Sequence, residues 1–215
     1  NFADALLGVL DPKVLENGIP DEAYTALSGD DKEVAKALKK QNKADLKSWK
    51  AIAAAIKAGF RAADSELVGF MDADGTCDPE FSVQLINRLL EDRADVVLAS
   101  RLNADSKMPL VRRIGNRIFA TLLSALAGSS VVDTASGFRV IRRESLKLMS
   151  PLPNGLHYTP TMSCLCVLDP RLRIAEVPMP YEERIGRSKL SVIRDGVRFL
   201  YTILFTFCCY SPLKA

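Results

Sequence analysis

Residues 66–101, ELVGFMDADGTCDPEFSVQLINRLLEDRADVVLASR, constrain the fold more than any other part of the chain. An apolar run ends in two carboxylates, Asp72 and Asp74, set one residue apart and followed by Gly75 and Thr76. A short apolar run closed by turn residues reads as a buried strand. Asp78, Pro79 and Glu80 then supply an N-cap, a first helical position and an acid for the first turn. Phe81, Leu85, Ile86, Leu89 and Leu90 fall on one face of the helix this predicts. ADVVLASR is the next strand, with Ser100 and Arg101 at its far end. Strand, acidic loop, helix, strand is a βαβ unit, and its default is a parallel, doubly wound sheet. Such sheets bind ligands beyond the carboxyl ends of their strands, where Asp72, Asp74, Ser100 and Arg101 gather.

The flanking segments extend the α/β pattern. Residues 1–60 read as mostly helical, rich in Ala, Lys and Leu, with Gly18, Pro20 and Gly29 in the loops. MPLVRRIGNRIFATLLSALAG is a helix stopped by Gly128. TASGFRVIRRESL gives a turn, a strand and a helix start, and the prolines of PRLRIAEVPMPYEER suit an edge strand. The final segment, SKLSVIRDGVRFLYTILFTFCCYSP, is a helix whose second half turns apolar. Its run from Phe199 to Tyr210 falls short of the roughly 20 residues that cross a bilayer. It lies on a membrane, begins a spanning helix that continues beyond Ala215, or packs on a partner, and membrane contact is the expectation.

With 215 residues, 48% of them hydrophobic, the chain can build one full core, with or without an appendage. A net charge of +3 is slight, but the basic residues crowd into 101–117, 139–147 and 184–198. Such clusters suit phosphate-bearing ligands or an anionic membrane surface; nothing points to nucleic acid. Five cysteines form neither a CxxC pair nor a zinc spacing with His157, which suggests a reducing compartment. No signal peptide is visible, and the chain opens on Asn1, as a fragment would.

Two chemistries fit DADGT. Asp72-Ala-Asp74-Gly-Thr76 matches the DxDGT nucleophile motif of haloacid-dehalogenase-like phosphatases. That site also requires a downstream Lys and a further acidic pair, and the acids after residue 80 are scattered, with no DD or GDxxxD group. The alternative is a divalent ion held by the two carboxylates against a diphosphate, Mg²⁺ or Mn²⁺ because the ligands are oxygens.

The run from Gly69 to Arg101, followed in order by VRRIGNRIF, DTASGFRVIRRE and EVPMPYEERIGRSKLS, resembles glycosyltransferase family 2. The similarity is to the branch of dolichyl-phosphate mannose synthases and bacterial polyprenyl-phosphate sugar transferases, over about residues 50–200. It implies an incomplete GT-A-like α/β core at 61–200, a mostly parallel sheet flanked by helices. An atypical helical segment would precede it at 1–60 and an amphipathic membrane-proximal helix follow at 188–215. The implied reaction is metal-dependent, inverting transfer of a sugar from a UDP- or GDP-sugar to a polyprenyl phosphate or other lipid, at the cytoplasmic face of a membrane.

The resemblance also assigns residues. Asp72, Asp74 and Thr76 would hold the metal, Thr76 standing where relatives often carry Gln. Arg101, Arg112, Arg113 and Asn116 would hold phosphate, a task that suits the arginine fork. Asp133, with Ser136 and Arg139 of the SGFR turn, would approach the acceptor. Arg184, Arg187, Ser188 and Lys189 would close over the diphosphate. Asp74, Asp133 and Arg184 are the expected catalytic residues. A lipid phosphate arrives ionised, so no general base is required. Trp49 lies upstream of the metal motif, which disfavours the QxxRW motif of processive synthases. The strands that usually open the family, ending in Pro-x-x-Asn-Glu and Asp-Asp-Gly-Ser, have no counterpart in residues 1–66. Their loss would leave an uncovered sheet edge, a route to association between copies. A non-catalytic remnant that binds a membrane or a partner therefore stands as the alternative.

Overall fold

The computed structural model describes residues 32–72, 74–128, 131–155, 157–183 and 192–210. Its elements are α1 (Lys32–Ala62), β1 (Leu67–Phe70), α2 (Ser82–Glu91), β2 (Val96–Ser100), α3 (Leu110–Ala127), β3 (Arg139–Arg142), α4 (Tyr158–Leu168), β4 (Ile174–Pro178) and α5 (Val192–Tyr210). Short 3₁₀ turns cover Pro79–Phe81 and Arg143–Lys147. Of the helical segment expected over 1–60, residues 1–31 lie outside the described residues.

The four strands form one sheet in the order β1-β3-β2-β4. β2 and β4 pair in parallel, whereas β1 and β2 each pair antiparallel with β3. Three strands thus run one way, and β3 runs against them from within. The doubly wound parallel sheet expected from the βαβ unit is corrected here to a mixed one. The loop 131–138 starts β3 at the carboxyl ends of β1 and β2, so the strand can only run back between them. No periodicity within residues 66–101 could announce a strand inserted from 40 residues downstream. β4 does lie at an edge, as its prolines suggested.

Side chains alternate across the sheet, as strand geometry requires. Val68, Val96 and Ile141 face Met149, Met162 and Leu165, with Ala53 of α1 in the same cluster. Val97, Ala99 and Val140 face Leu85 and Leu89 of α2. Burying each of those two leucines completely stabilises the fold by roughly 1.5–3 kcal/mol. Leu90, assigned to the same helical face, is instead exposed, so the buried stripe is narrower than the apolar pattern. A third cluster, Leu123, Val131, Cys164 and Ile203, joins α3, α4 and α5. Asp78 caps the turn before α2 by accepting from the Glu80 amide at 2.9 Å. α3 ends on Gly128, whose φ of 70° only glycine adopts readily. The carboxyl ends of β1, β2 and β4 consequently share one end of the sheet.

Candidate active site

Each of those strand ends delivers part of the site. β1 leads through Met71 into Asp72, whose amide donates to the Gly137 carbonyl at 3.0 Å and extends the pairing with β3 by one step. The turn that follows depends on Gly75, at φ 77°. It folds Thr76 back so that its hydroxyl donates to Asp74 Oδ1 at 2.5 Å and its amide to the same oxygen at 3.2 Å. Thr76 is buried, and its hydroxyl proton is committed to Asp74. Thr76 thereby fixes one carboxylate oxygen of Asp74, and its own oxygen keeps the lone pairs with which the expected metal contact would be made.

The end of β2 delivers Arg101. Its Nε and Nη2 donate to the two oxygens of Asp133 at 2.7 and 2.8 Å, and its amide adds a third bond at 3.0 Å. Asn116 Nδ2 and the Ala135 amide donate to Asp133 as well, at 2.8 and 3.2 Å. Burial works to raise the Asp133 carboxyl, but the Arg101 charge and these bonds outweigh it and hold the group below the usual carboxylate range. The same ion pair raises the Arg101 guanidinium despite its burial. Glu176 of β4 completes the anchor by accepting from the amides of Val132 and Asp133 at 2.8 and 2.9 Å. Asp133 has no solvent exposure and its carboxylate is filled with donors. In this arrangement Asp133 positions Arg101 and the loop that leads into β3.

Ser136 and Arg139 are also fully buried. The Ser136 hydroxyl donates to the Ala99 carbonyl at 2.6 Å. Arg139 donates to the carbonyls of Ser136 and Thr134 and to the Ser163 hydroxyl of α4, at 2.9, 3.1 and 3.0 Å. Burial lowers its guanidinium to about 10. Both residues stitch the loop 133–138 to β2 and α4. Arg113 donates to the Asn103 carbonyl, which ties α3 to the loop after β2.

A cavity of about 520 Å³ opens beside this framework. Asp72, Asp74, Arg101, Arg112 and Asn116 line it together with an apolar wall of Trp49, Ile52, Ile56, Phe119 and Phe199. The wall comes from α1, α3 and α5, where Phe119 and Phe199 meet edge to face at 6.0 Å. Tyr181, just beyond β4, also lines the cavity, and the Arg101 guanidinium lies 5.7 Å from its ring centroid. Among the described residues no group of three or more His, Cys, Asp and Glu could enclose a metal by itself. Two carboxylates do fit an ion of the Mg²⁺ class, which keeps most of its shell for phosphate oxygens and water.

The sequence profile of glycosyl transferase family 2 matches residues 30–149, more than half of the 215. The chain belongs to glycosyl transferase family 2. A dolichyl-phosphate hexose transferase of Haloferax volcanii is 35% identical over 148 residues, 66% of this chain and 61% of that protein. An undecaprenyl-phosphate 4-deoxy-4-formamido-L-arabinose transferase of Yersinia pestis is 26% identical over 161 residues, 74% of this chain and 46% of that one. The chain thus spans under two thirds of either relative's length. Glucosyl-3-phosphoglycerate synthase from Mycobacterium tuberculosis, crystallised with Mn²⁺, UDP-glucose and phosphoglyceric acid, superposes with a TM-score of 0.53 at 22% identity. The match covers 69% of this chain and 51% of that one, and the shared fold is a partial GT-A-like α/β fold.

Within this family member, the structure brings Asp72, Asp74, Arg101, Arg112 and Asn116 to one cavity. Arg184, Arg187, Ser188 and Lys189 lie outside the described residues. Residues that the sequence did not announce include Glu176, Tyr181 and the α1 side chains Trp49, Ile52 and Ile56. Glu176 carried a signal, as a lone acid inside the apolar strand IAEVP. His157 does not line the cavity; burial, with help from Arg198, Lys57 and Lys50, lowers its imidazole to about 4. It is therefore neutral at pH 7 and structural. Burial likewise pushes the thiols of Cys164 and Cys166 up to about 12, which leaves them inert.

Proposed function

We propose that this chain carries the catalytic core of a glycosyltransferase that moves a sugar from a UDP- or GDP-sugar to a polyprenyl phosphate. The observation that carries the reading is the make-up of the cavity wall. Paired carboxylates and cations for a diphosphate stand beside an apolar surface suited to a lipid. The lipid-phosphate transferases among its relatives support the acceptor class.

Asp72 and Asp74 would hold Mg²⁺ or Mn²⁺, which would neutralise charge on the departing nucleoside diphosphate. Arg101 spends two N–H groups on Asp133 and has the rest of its fork for a phosphate, alongside Arg112. An ionised lipid phosphate attacks without losing a proton, so positioning carries the step and inversion at the sugar carbon follows from in-line attack. Asp74 acts at the metal, and Arg184 is assigned to the diphosphate by the family motif alone.

The work would take place at a membrane surface. Leu110, Val111, Ile114 and Ile118 of α3 are all more than half exposed, and Leu200, Leu204 and Phe205 of α5 are exposed as well. Among the described residues no helix is long and apolar enough to cross a membrane. Lying on the surface is the mode of contact that these faces suit.

Calorimetric titration of UDP and GDP, each with Mn²⁺, into the chain and into Asp74→Ala tests the donor site. Metal-dependent binding that the substitution abolishes is the expected result. A folded protein that binds neither nucleotide overturns the reading and favours the remnant that binds without catalysis.

A further inference from the structure

We infer that Gly137 is the seat of the Asp72 carboxylate, and that its missing side chain is what allows Asp72 to hold a metal. The inference rests on the metal reading above and adds to it a positioning residue on another strand. A Cβ built at Gly137 would stand 2.0 Å from Asp72 Oδ2, 2.3 Å from its Cγ and 2.6 Å from Oδ1. The carboxylate thus occupies the very space that a side chain at 137 would fill.

Backbone conformation does not demand glycine at this position. Gly75, Gly128 and Gly155 are the glycines with positive φ among the described residues, and Gly137 is not one of them. The three atoms nearest the added Cβ all belong to the Asp72 carboxylate. Steric room for that group is therefore the reason for glycine here. The two residues are also joined through the backbone, by the Asp72 amide and the Gly137 carbonyl at 3.0 Å. That bond fixes the Asp72 Cα against the loop, so the carboxylate has one short linkage with which to avoid an obstacle. A methyl at 137 would rotate it off its seat.

The seat is itself rigid. Ser136 on one side is bonded to the Ala99 carbonyl, and Phe138 on the other is buried against α2. Both Asp72 and Gly137 line the cavity, so the displaced carboxylate would leave the place where a ligand phosphate meets it. The glycine of SGFR thereby belongs to the metal half of the site rather than to the acceptor half.

The test is Mn²⁺ titration followed by electron paramagnetic resonance, on the chain, Gly137→Ala, Asp72→Ala and the double variant. Gly137→Ala should weaken Mn²⁺ about 10–100-fold, the range seen when a partner that orients a metal ligand is lost. The double variant should bind no more weakly than Asp72→Ala alone, because Gly137 acts only through Asp72. Melting temperatures should match. Mn²⁺ binding by Gly137→Ala equal to that of the unaltered chain overturns the inference, as do effects that add in the double variant. A Gly137→Ala protein that melts well below the parent overturns it too, since the methyl then meets more than Asp72. If the unaltered chain binds no Mn²⁺, the metal reading itself falls and takes this inference with it.

Discussion

Arg101 holds Asp133 through both carboxylate oxygens, with Nε and Nη2 at 2.7 and 2.8 Å, and Asp133 has no contact with solvent. The pair joins the end of β2 to the loop that enters β3, so it fixes the angle at which two walls of the cavity meet. Asn116 brings α3 to the same carboxylate and Glu176 brings β4 to the same loop. Four elements thus meet at this loop and its buried ion pair. A guanidinium that lines a cavity can orient a ligand only if it stays put, and this framework supplies that rigidity.

Asp133→Asn should therefore cost stability before it costs chemistry. The substitution leaves a largely buried cation without its anion, a defect that typically amounts to about 3–5 kcal/mol. Urea denaturation at pH 7 measures it. The pH dependence gives a second check. The folded carboxyl lies below its ordinary value of 3.8, so the contribution is fully present above that value and is lost as pH falls through the folded one. Parent and variant should accordingly draw together in stability as the pH drops below about 4. Curves that stay parallel down to pH 2 would show that Asp133 is not the group responsible.

His157 predicts a loss in a higher window. Its imidazole is held at about 4 against 6.5 in the unfolded chain, so the folded form resists protonation. The sign is that of a depressed base: stability is whole above pH 6.5 and falls as the pH drops toward 4, by at most about 3 kcal/mol. His157→Phe should flatten the stability profile in that interval and leave the Asp133 window unchanged. An unaltered slope between pH 6.5 and 4 in the variant would assign the effect to another group.

The local elements were legible because their signals are local. Asp78-Pro79-Glu80 announced a helix start, Gly128 a helix end, and the run LVGFM a strand, and each forms there. The sheet order was not legible. β3 enters between β1 and β2 through contacts such as Val68 with Ile141, more than seventy positions apart, and no periodicity records such a pairing. That Asp72, Asp74 and Arg101 meet at one cavity could be read from their place at strand ends. The burial of Asp133, Ser136 and Arg139 could not, because a polar residue in a loop or at the start of a strand looks alike whether it faces a ligand or holds the backbone. Burial decides between the two, and burial is a tertiary property. Gly137 shows the same limit: its glycine answers a side chain 65 positions earlier.

The exposed face of α3 gives the last prediction. Leu110, Ile114 and Ile118 recur at four-residue spacing, which stacks them along one side of the helix, and Arg117 is exposed beside them. Apolar residues in that number gain nothing in water, whereas apolar groups interleaved with a cation are what an anionic bilayer surface binds. Ile114→Glu with Ile118→Glu replaces exposed apolar surface by negative charge, and it should reduce binding to phosphatidylglycerol-containing vesicles on the order of tenfold or more. Both side chains are more than half exposed, so the melting temperature should barely change. Sedimentation with vesicles of mixed phosphatidylglycerol and phosphatidylcholine reads the effect directly. Binding carried by α5 alone would survive the double substitution, since Leu200, Leu204 and Phe205 remain exposed on that helix. Loss of binding would instead place α3 on the lipid side, next to the arginine, Arg112, that lines the cavity from the same helix.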